Sequence, residues 1–127
     1  MTFRNPGLAK AFVSGAAING SRIVKFGADE NTVIQGAAAT DSLIGVVDLV
    51  GCDNAERIDV FLEGVVTVEF GGTVTRGALL TSDSVGRAVA AVPAAGANNR
   101  TIGIALVDAV SGDKSSMLLS PGSIQGA

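Results

Sequence analysis

Few side chains in this sequence could do covalent chemistry. Cys52 is its only cysteine, and there is no histidine to activate it or any serine. Nucleophilic catalysis needs such a base beside the attacking group. No Gly-x-Ser-x-Gly elbow occurs either. A serine–lysine dyad would have to draw on Lys10, Lys25 or Lys114, none of which stands in a recognisable frame. Carboxylates cluster as Asp29-Glu30, Asp53 with Glu56, and Asp59 with Glu63. Acid–base work needs one such group buried and its neighbour wet, and the period-two pattern around Asp59 and Glu63 instead places both on a solvated strand face. No calcium loop of the Asp-x-Asp-x-Asx-Gly kind is present. A lone cysteine and no histidine leave no Cys- or His-based metal site. Gly71-Gly72-Thr-Val-Thr-Arg-Gly77 is glycine-rich but fits neither phosphate-cradling fingerprint, so it reads as a bend between strands. Lys114, in Ser111-Gly-Asp-Lys-Ser115, sits where a carrier domain would hold its modified lysine, but lacks the apolar flanks of such a site. Asn19-Gly-Ser21 and Asn99-Arg-Thr101 match the glycosylation sequon and read as turns.

The elements that would position these groups are strands. Of 127 residues, 47% are hydrophobic and 17% charged, with 17 glycines, five phenylalanines, and no tryptophan or tyrosine. One domain with a real core fits that length. The net charge of −3 argues against a phosphate-backbone binder, and no run is long and apolar enough to span a membrane. No leader-like apolar segment opens the chain, so synthesis in a cytoplasm-like compartment is expected.

Period-two patterning marks Arg57–Glu63, with Ile58, Val60 and Leu62 on one face, and Val65–Phe70, with Val66, Val68 and Phe70 on one face. Gly64 is expected to break the two runs apart. Further strands are expected at 21–26, 32–35, 43–50, 101–108 and 115–119, and a hairpin over 78–92. Pro121-Gly122 is expected to end the packed part. No stretch has a helical period. Residues 1–11 read as an extended arm, which either docks on a partner or folds back on its own domain; 12–122 form one β-rich domain, and 123–127 a tail. Ile44-Gly45-Val46 returns as Ile102-Gly103-Ile104, 58 positions further on, and Gly64 matches Gly122 at that offset. The expected fold is therefore all-β: a small barrel or two-sheet sandwich with pseudo-duplicated halves, short or no helices, and an N-terminal arm.

Several runs together resemble one family. Gly15-Ala-Ala-Ile18, Arg22-Ile-Val-Lys-Phe-Gly27 and Leu43-Ile-Gly-Val46 look like the opening of the capsid cement, or head-decoration, proteins of tailed bacteriophages. Asp59-Val-Phe-Leu-Glu-Gly64, Val74-Thr-Arg-Gly-Ala-Leu-Leu-Thr-Ser-Asp83, Gly86-Arg-Ala-Val89, Ile102-Gly-Ile-Ala-Leu106, Gly112-Asp113 and Met117-Leu-Leu119 follow in the same order. The resemblance covers roughly residues 12–122 and rests mostly on glycine and apolar spacing. It implies a β-rich homotrimer at three-fold or quasi-three-fold positions on the outer surface of an icosahedral head. Its partner would be the major capsid protein, with no nucleic acid, membrane, cofactor, metal or catalytic residue. The arm residues Thr2, Phe3, Arg4, Asn5, Pro6, Gly7 and Leu8 would contact the capsid. The readings that compete are another head or tail component, such as a head-fibre base, and a β-barrel carrier or ligand-binding domain.

Overall fold

The computed structural model describes residues 5–126. Among these, nine strands and no helix occur: β1 (Asn5–Ser14), β2 (Ile23–Phe26), β3 (Thr32–Gln35), β4 (Leu43–Val47), β5 (Arg57–Glu69), β6 (Leu79–Ser82), β7 (Ala88–Ala90), β8 (Asn98–Ala105) and β9 (Lys114–Gln125). They join in the order β1-β3-β2-β4-β5-β9-β8-β6-β7, and β1 also pairs with β5. That extra pairing closes β1-β3-β2-β4-β5 into a five-stranded barrel. All its ladders are antiparallel except β1–β3, where Val13 meets Thr32 and Ser14 meets Val33.

The second half of the chain repeats the first, strand for strand. Within the first barrel, β2 pairs with β3 and β4, and β4 with β5; within the second, β6 pairs with β7 and β8, and β8 with β9. The registers match: Val24↔Gly45 corresponds to Leu80↔Gly103, and Val46↔Phe61 to Ile104↔Leu118. Even the isolated bridges recur, Ile18↔Cys52 as Val74↔Ala109. The C-terminal part of β5 takes the place of β1: it runs antiparallel to β9, and a parallel bridge from Phe70 to Ala88 stands where β1 meets β3. One 13-residue strand is thus the last stave of one barrel and the first of the next.

Each barrel has its core. Phe12, Ile18, Val24, Val33, Val47, Ile58 and Val60 fill the first. Val66, Val68, Phe70, Val74, Leu80, Ile102, Met117 and Leu119 fill the second, joined by Ile23, Leu43 and Val46 from the outside of the first. Adjacent residues of β2 and β4 therefore feed different cores, Val24 and Val47 one, Ile23 and Val46 the other. A wall buried on both faces must read as an unbroken apolar run rather than an alternation, as Leu43–Val47 does.

Gly64 does not break the chain into two strands. It sits inside β5 at φ 104°, beside register shifts at Pro6/Leu8 and Leu8/Ala9 in the β1–β5 ladder. Glycine accommodates this conformation without steric cost, so the ladder bends there instead of ending. Pro121-Gly122 does not end the packed part either. β9 continues to Gln125 against β8, and Pro121, which has no N–H to donate, falls where the register skips between Thr101 and Gly103. The expected 123–127 tail is thus strand through Gln125. At the other end, Asn5–Ser14 is β1, laid along β5 of its own domain, which is the fold-back course of the two expected for the arm, and the strand runs on through residue 12 without a boundary.

The glycines of the repeated Ile-Gly-apolar run have one job in both copies. A Cβ on Gly45 would stand 2.2 Å from the Phe61 carbonyl oxygen, and one on Gly103 1.9 Å from that of Leu118. The neighbouring strand passes too close for any side chain.

Candidate interaction surface

The carboxylate pairs serve turns. Asp53 donates its backbone N–H to Glu56 Oε1 at 2.7 Å, and at the corresponding turn of the second barrel Val110 N–H donates to Asp113 Oδ2 at 3.0 Å. Ser14 Oγ completes the first turn, donating to the Asp53 carbonyl and accepting from Glu56 N–H. Two open clefts lie at these matching places. One, of about 370 Å³, includes Asn19, Gly51, Asp53 and Glu56; the other, of about 360 Å³, includes Thr75, Asp108, Val110 and Asp113. Their recurrence follows from the duplication.

Asp29 accepts from Asn31 N–H and Thr32 Oγ1, and these bonds hold its pKa below the usual value. Burial pushes the Asp41 pKa upward, but the Ala37 N–H and the Lys25 ammonium, 3.1 Å away, outweigh it, so the net shift is downward. Asp59 and Glu63 lie exposed on β5. Phe61 between them does not share that exposure; it packs on the second core.

The remaining reactive groups are equally dispersed. Lys10 Nζ lies 4.1 Å from the centre of the Phe12 ring. Lys114 occupies the first ladder position of β9, opposite Glu69, rather than the turn tip before it. Cys52 is half-buried against the first core. Among the described residues no group of three or more His, Cys, Asp or Glu side chains could hold a metal.

One charged cluster ties the two barrels together. Arg22, from the first, donates to Glu69 Oε2 at 3.2 Å and to the Val85 carbonyl at 2.9 Å. Arg87, from the second, stands 3.9 Å from the same Glu69 oxygen and bonds Asp83 at 3.0 Å. Glu69, on the shared strand, is 15% exposed.

What the molecule offers outward is surface. Of the anticipated arm, Thr2, Phe3 and Arg4 lie outside the described residues. Asn5, Pro6 and Leu8 have partners on β5, and Gly7 and Leu8 are exposed. Among the described residues, the other edge of β1 is paired only at Val13 and Ser14, so residues 5–11 present an open strand edge. A second feature escaped the sequence reading. Leu79, Ile104, Leu118 and Val65 are direct cross-strand partners on β6, β8, β9 and β5, forming one apolar rung on the outer face of the second barrel. Leu79 and Leu118 are each 39% exposed. The runs holding them look like buried strands, and only the pairing reveals that alternate residues point outward.

Comparison with known proteins gives one kind of match. No family model matches the chain, and no curated protein does. Among solved structures, the N base of the head fiber gp8.5 in bacteriophage phi29 is similar, with a TM-score of 0.66 over 89% of this chain and 93% of that one, at 16% identity. At that identity the likeness shows the fold.

Proposed function

We propose that this chain is a structural protein of a tailed-phage virion, sited on the outer surface of the head. In this reading it binds the major capsid protein, as a homotrimer at three-fold or quasi-three-fold positions, and stabilises the shell without catalysis or cofactor. The observation that carries it is the likeness, over nearly the whole length of both chains, to the base of a phage head fiber. The ordered run of motifs resembling head-decoration proteins adds to it. Dispersed carboxylates and a histidine-free composition suit a molecule that works by contact. Engaging several capsid subunits through one trimer multiplies modest contacts into tight attachment. The solved neighbour also favours a second reading, a base that seats a fibre on the head.

The open edge of β1, with residues 2–4 leading into it, is the segment that would contact the capsid, by adding a strand to a neighbouring sheet. Truncation of residues 2–4 keeps every described residue of β1. The truncated chain should fold with unchanged thermal stability yet bind purified undecorated heads more weakly in co-sedimentation. Equal occupancy for both proteins would remove these residues from the contact, and absence of binding by the intact chain would refute the head reading.

A further inference from the structure

The duplication breaks down at one strand edge. In the first half, β5 changes partner along the edge that faces β4. It pairs with β4 at Val60 and Phe61, and with β9 from Gly64 onward to Glu69. Both partners lie on the same edge, because β1 holds the opposite one at Val60, Phe61, Gly64 and Val65. The second barrel is built on that exchange. β9 is the counterpart of β5, and Gly122 the counterpart of Gly64. Yet β9 makes no exchange. Having paired with β8 at 117–119, it pairs with β8 again, from Gly122 opposite Thr101 to Gln125 opposite Asn98. The extra length comes from β8: residues 98–100 are strand, whereas their counterparts 40–42 are not, and β4 starts only at Leu43.

The added segment is fastened beyond its ladder. Arg100 N–H donates to the Ala39 carbonyl, in the loop before β4, at 2.7 Å. Gln125 Nε2 donates to the Gly96 carbonyl at 3.3 Å. The 93–97 loop then closes on Gly126: Gly96 N–H donates to the Gly126 carbonyl at 3.0 Å, and Gly126 N–H to that of Ala97 at 2.9 Å. An unpaired strand edge is a template for another chain, and the matching edge in the first half already seats a strand. We propose that residues 98–101 are a cap. They occupy, with the chain's own backbone, the edge of β9 on which a further strand would pair, and so hold off pairing between copies. The proposal is independent of the phage head.

Proline substitutions in the cap test it, with the full chain purified and no heads present. The Arg100 N–H points away from β9, to Ala39. By strand alternation the Asn99 N–H therefore points to Ile124, and the Asn98 N–H away. Asn99→Pro removes a ladder donor and should shift the protein to larger species in sedimentation velocity, increasingly so with concentration. Asn98→Pro removes none and should match the wild type. Deleting residues 123–127 from Asn99→Pro takes away the uncovered edge and should restore the wild-type distribution. If Asn99→Pro fails to fold, Gly126→Ala replaces it, because its Cβ would stand 2.0 Å from the Ala94 carbonyl oxygen and pry the loop off β9. A folded cap variant with the wild-type distribution overturns the proposal. So does equal association in Asn98→Pro and Asn99→Pro, or association that survives the deletion.

Discussion

The two barrels share a topology and differ in how each is closed and what covers it. In the first, β1 is a separate strand paired with β5 from Asn5 to Val13. In the second, the closing strand is the continuation of β5 itself, and its parallel contact with β7 is the single bridge from Phe70 to Ala88. Ile23, Leu43 and Val46 of the first barrel also enter the second core from outside. The lesson is that a repeated unit need not be stabilised the same way twice. Both barrels have ladders and a core; the first is closed by the long β1–β5 ladder, the second by a single bridge, with apolar side chains of its neighbour added to its core.

That contrast can be broken at its joint. Phe70 is fully buried at the end of the shared strand. Phe70→Ala should cost about 4 kcal/mol in chemical unfolding, through lost burial and the cavity left. It should loosen the second barrel first, with hydrogen exchange rising in β6–β8 before β1–β4. Uniform exchange across both barrels would show that they unfold as one unit.

A second comparison concerns the matching glycines. Gly45→Ala and Gly103→Ala should each cost about 3 kcal/mol, since each new methyl meets a carbonyl of the adjacent strand. Gly103 also has φ 154°, unfavourable for other residues. Wild-type denaturation midpoints for either variant would show that the close approach relaxes easily.

The charged link between barrels is worth less. Glu69→Gln removes the negative charge on which Arg22 and Arg87 converge, and should cost about 2 kcal/mol. The effect should shrink when Arg22→Met is already present, since the two changes act on one cluster. Additive losses in that double-mutant cycle would contradict the cluster.

Smaller still is a difference in backbone. Ser21 and Ala55 hold φ of 57° and 65°, while the matching positions of the second barrel are glycines, Gly77 and Gly112. The second barrel has the relaxed solution and the first a strained one. Ala55→Gly should therefore stabilise the protein by about 1 kcal/mol, and Gly112→Ala should destabilise it by a similar amount. A loss of thermal stability in Ala55→Gly would refute the strain.

The smallest effect is on pH dependence. The pKa of Asp41 is lower folded than unfolded, so its contribution is present above the ordinary carboxylate pKa and fades as pH falls through the folded value. Asp41→Asn should flatten acid unfolding slightly, below about pH 4, and leave neutral stability almost unchanged. An identical acid profile would remove Asp41 from that account.

Much of this was legible in the residues. Alternation in β5 gave its inward face, Ile58, Val60 and Leu62 and then Val66, Val68 and Phe70, because one side of that strand meets a core along its whole length. The Ile-Gly-apolar repeat marked the duplication, because a close strand approach demands glycine in both copies. Other features were hidden by long-range pairing. The continuity of β5 through Gly64 depends on β1 and β9 flanking it, and the strand beyond Pro121 depends on β8. The outer rung was invisible because Leu118 and Leu119 look alike in sequence, yet one faces out and the other into the core.

The proposed function is mechanical: the chain would hold to the outside of a phage shell. Cryo-electron microscopy of phage heads assembled with and without this protein tests it most directly. The proposal predicts density the size of one or more double barrels on the outer surface, absent from heads assembled without the protein. Identical maps from the two particles, with the protein recovered only in the unbound fraction, would contradict it.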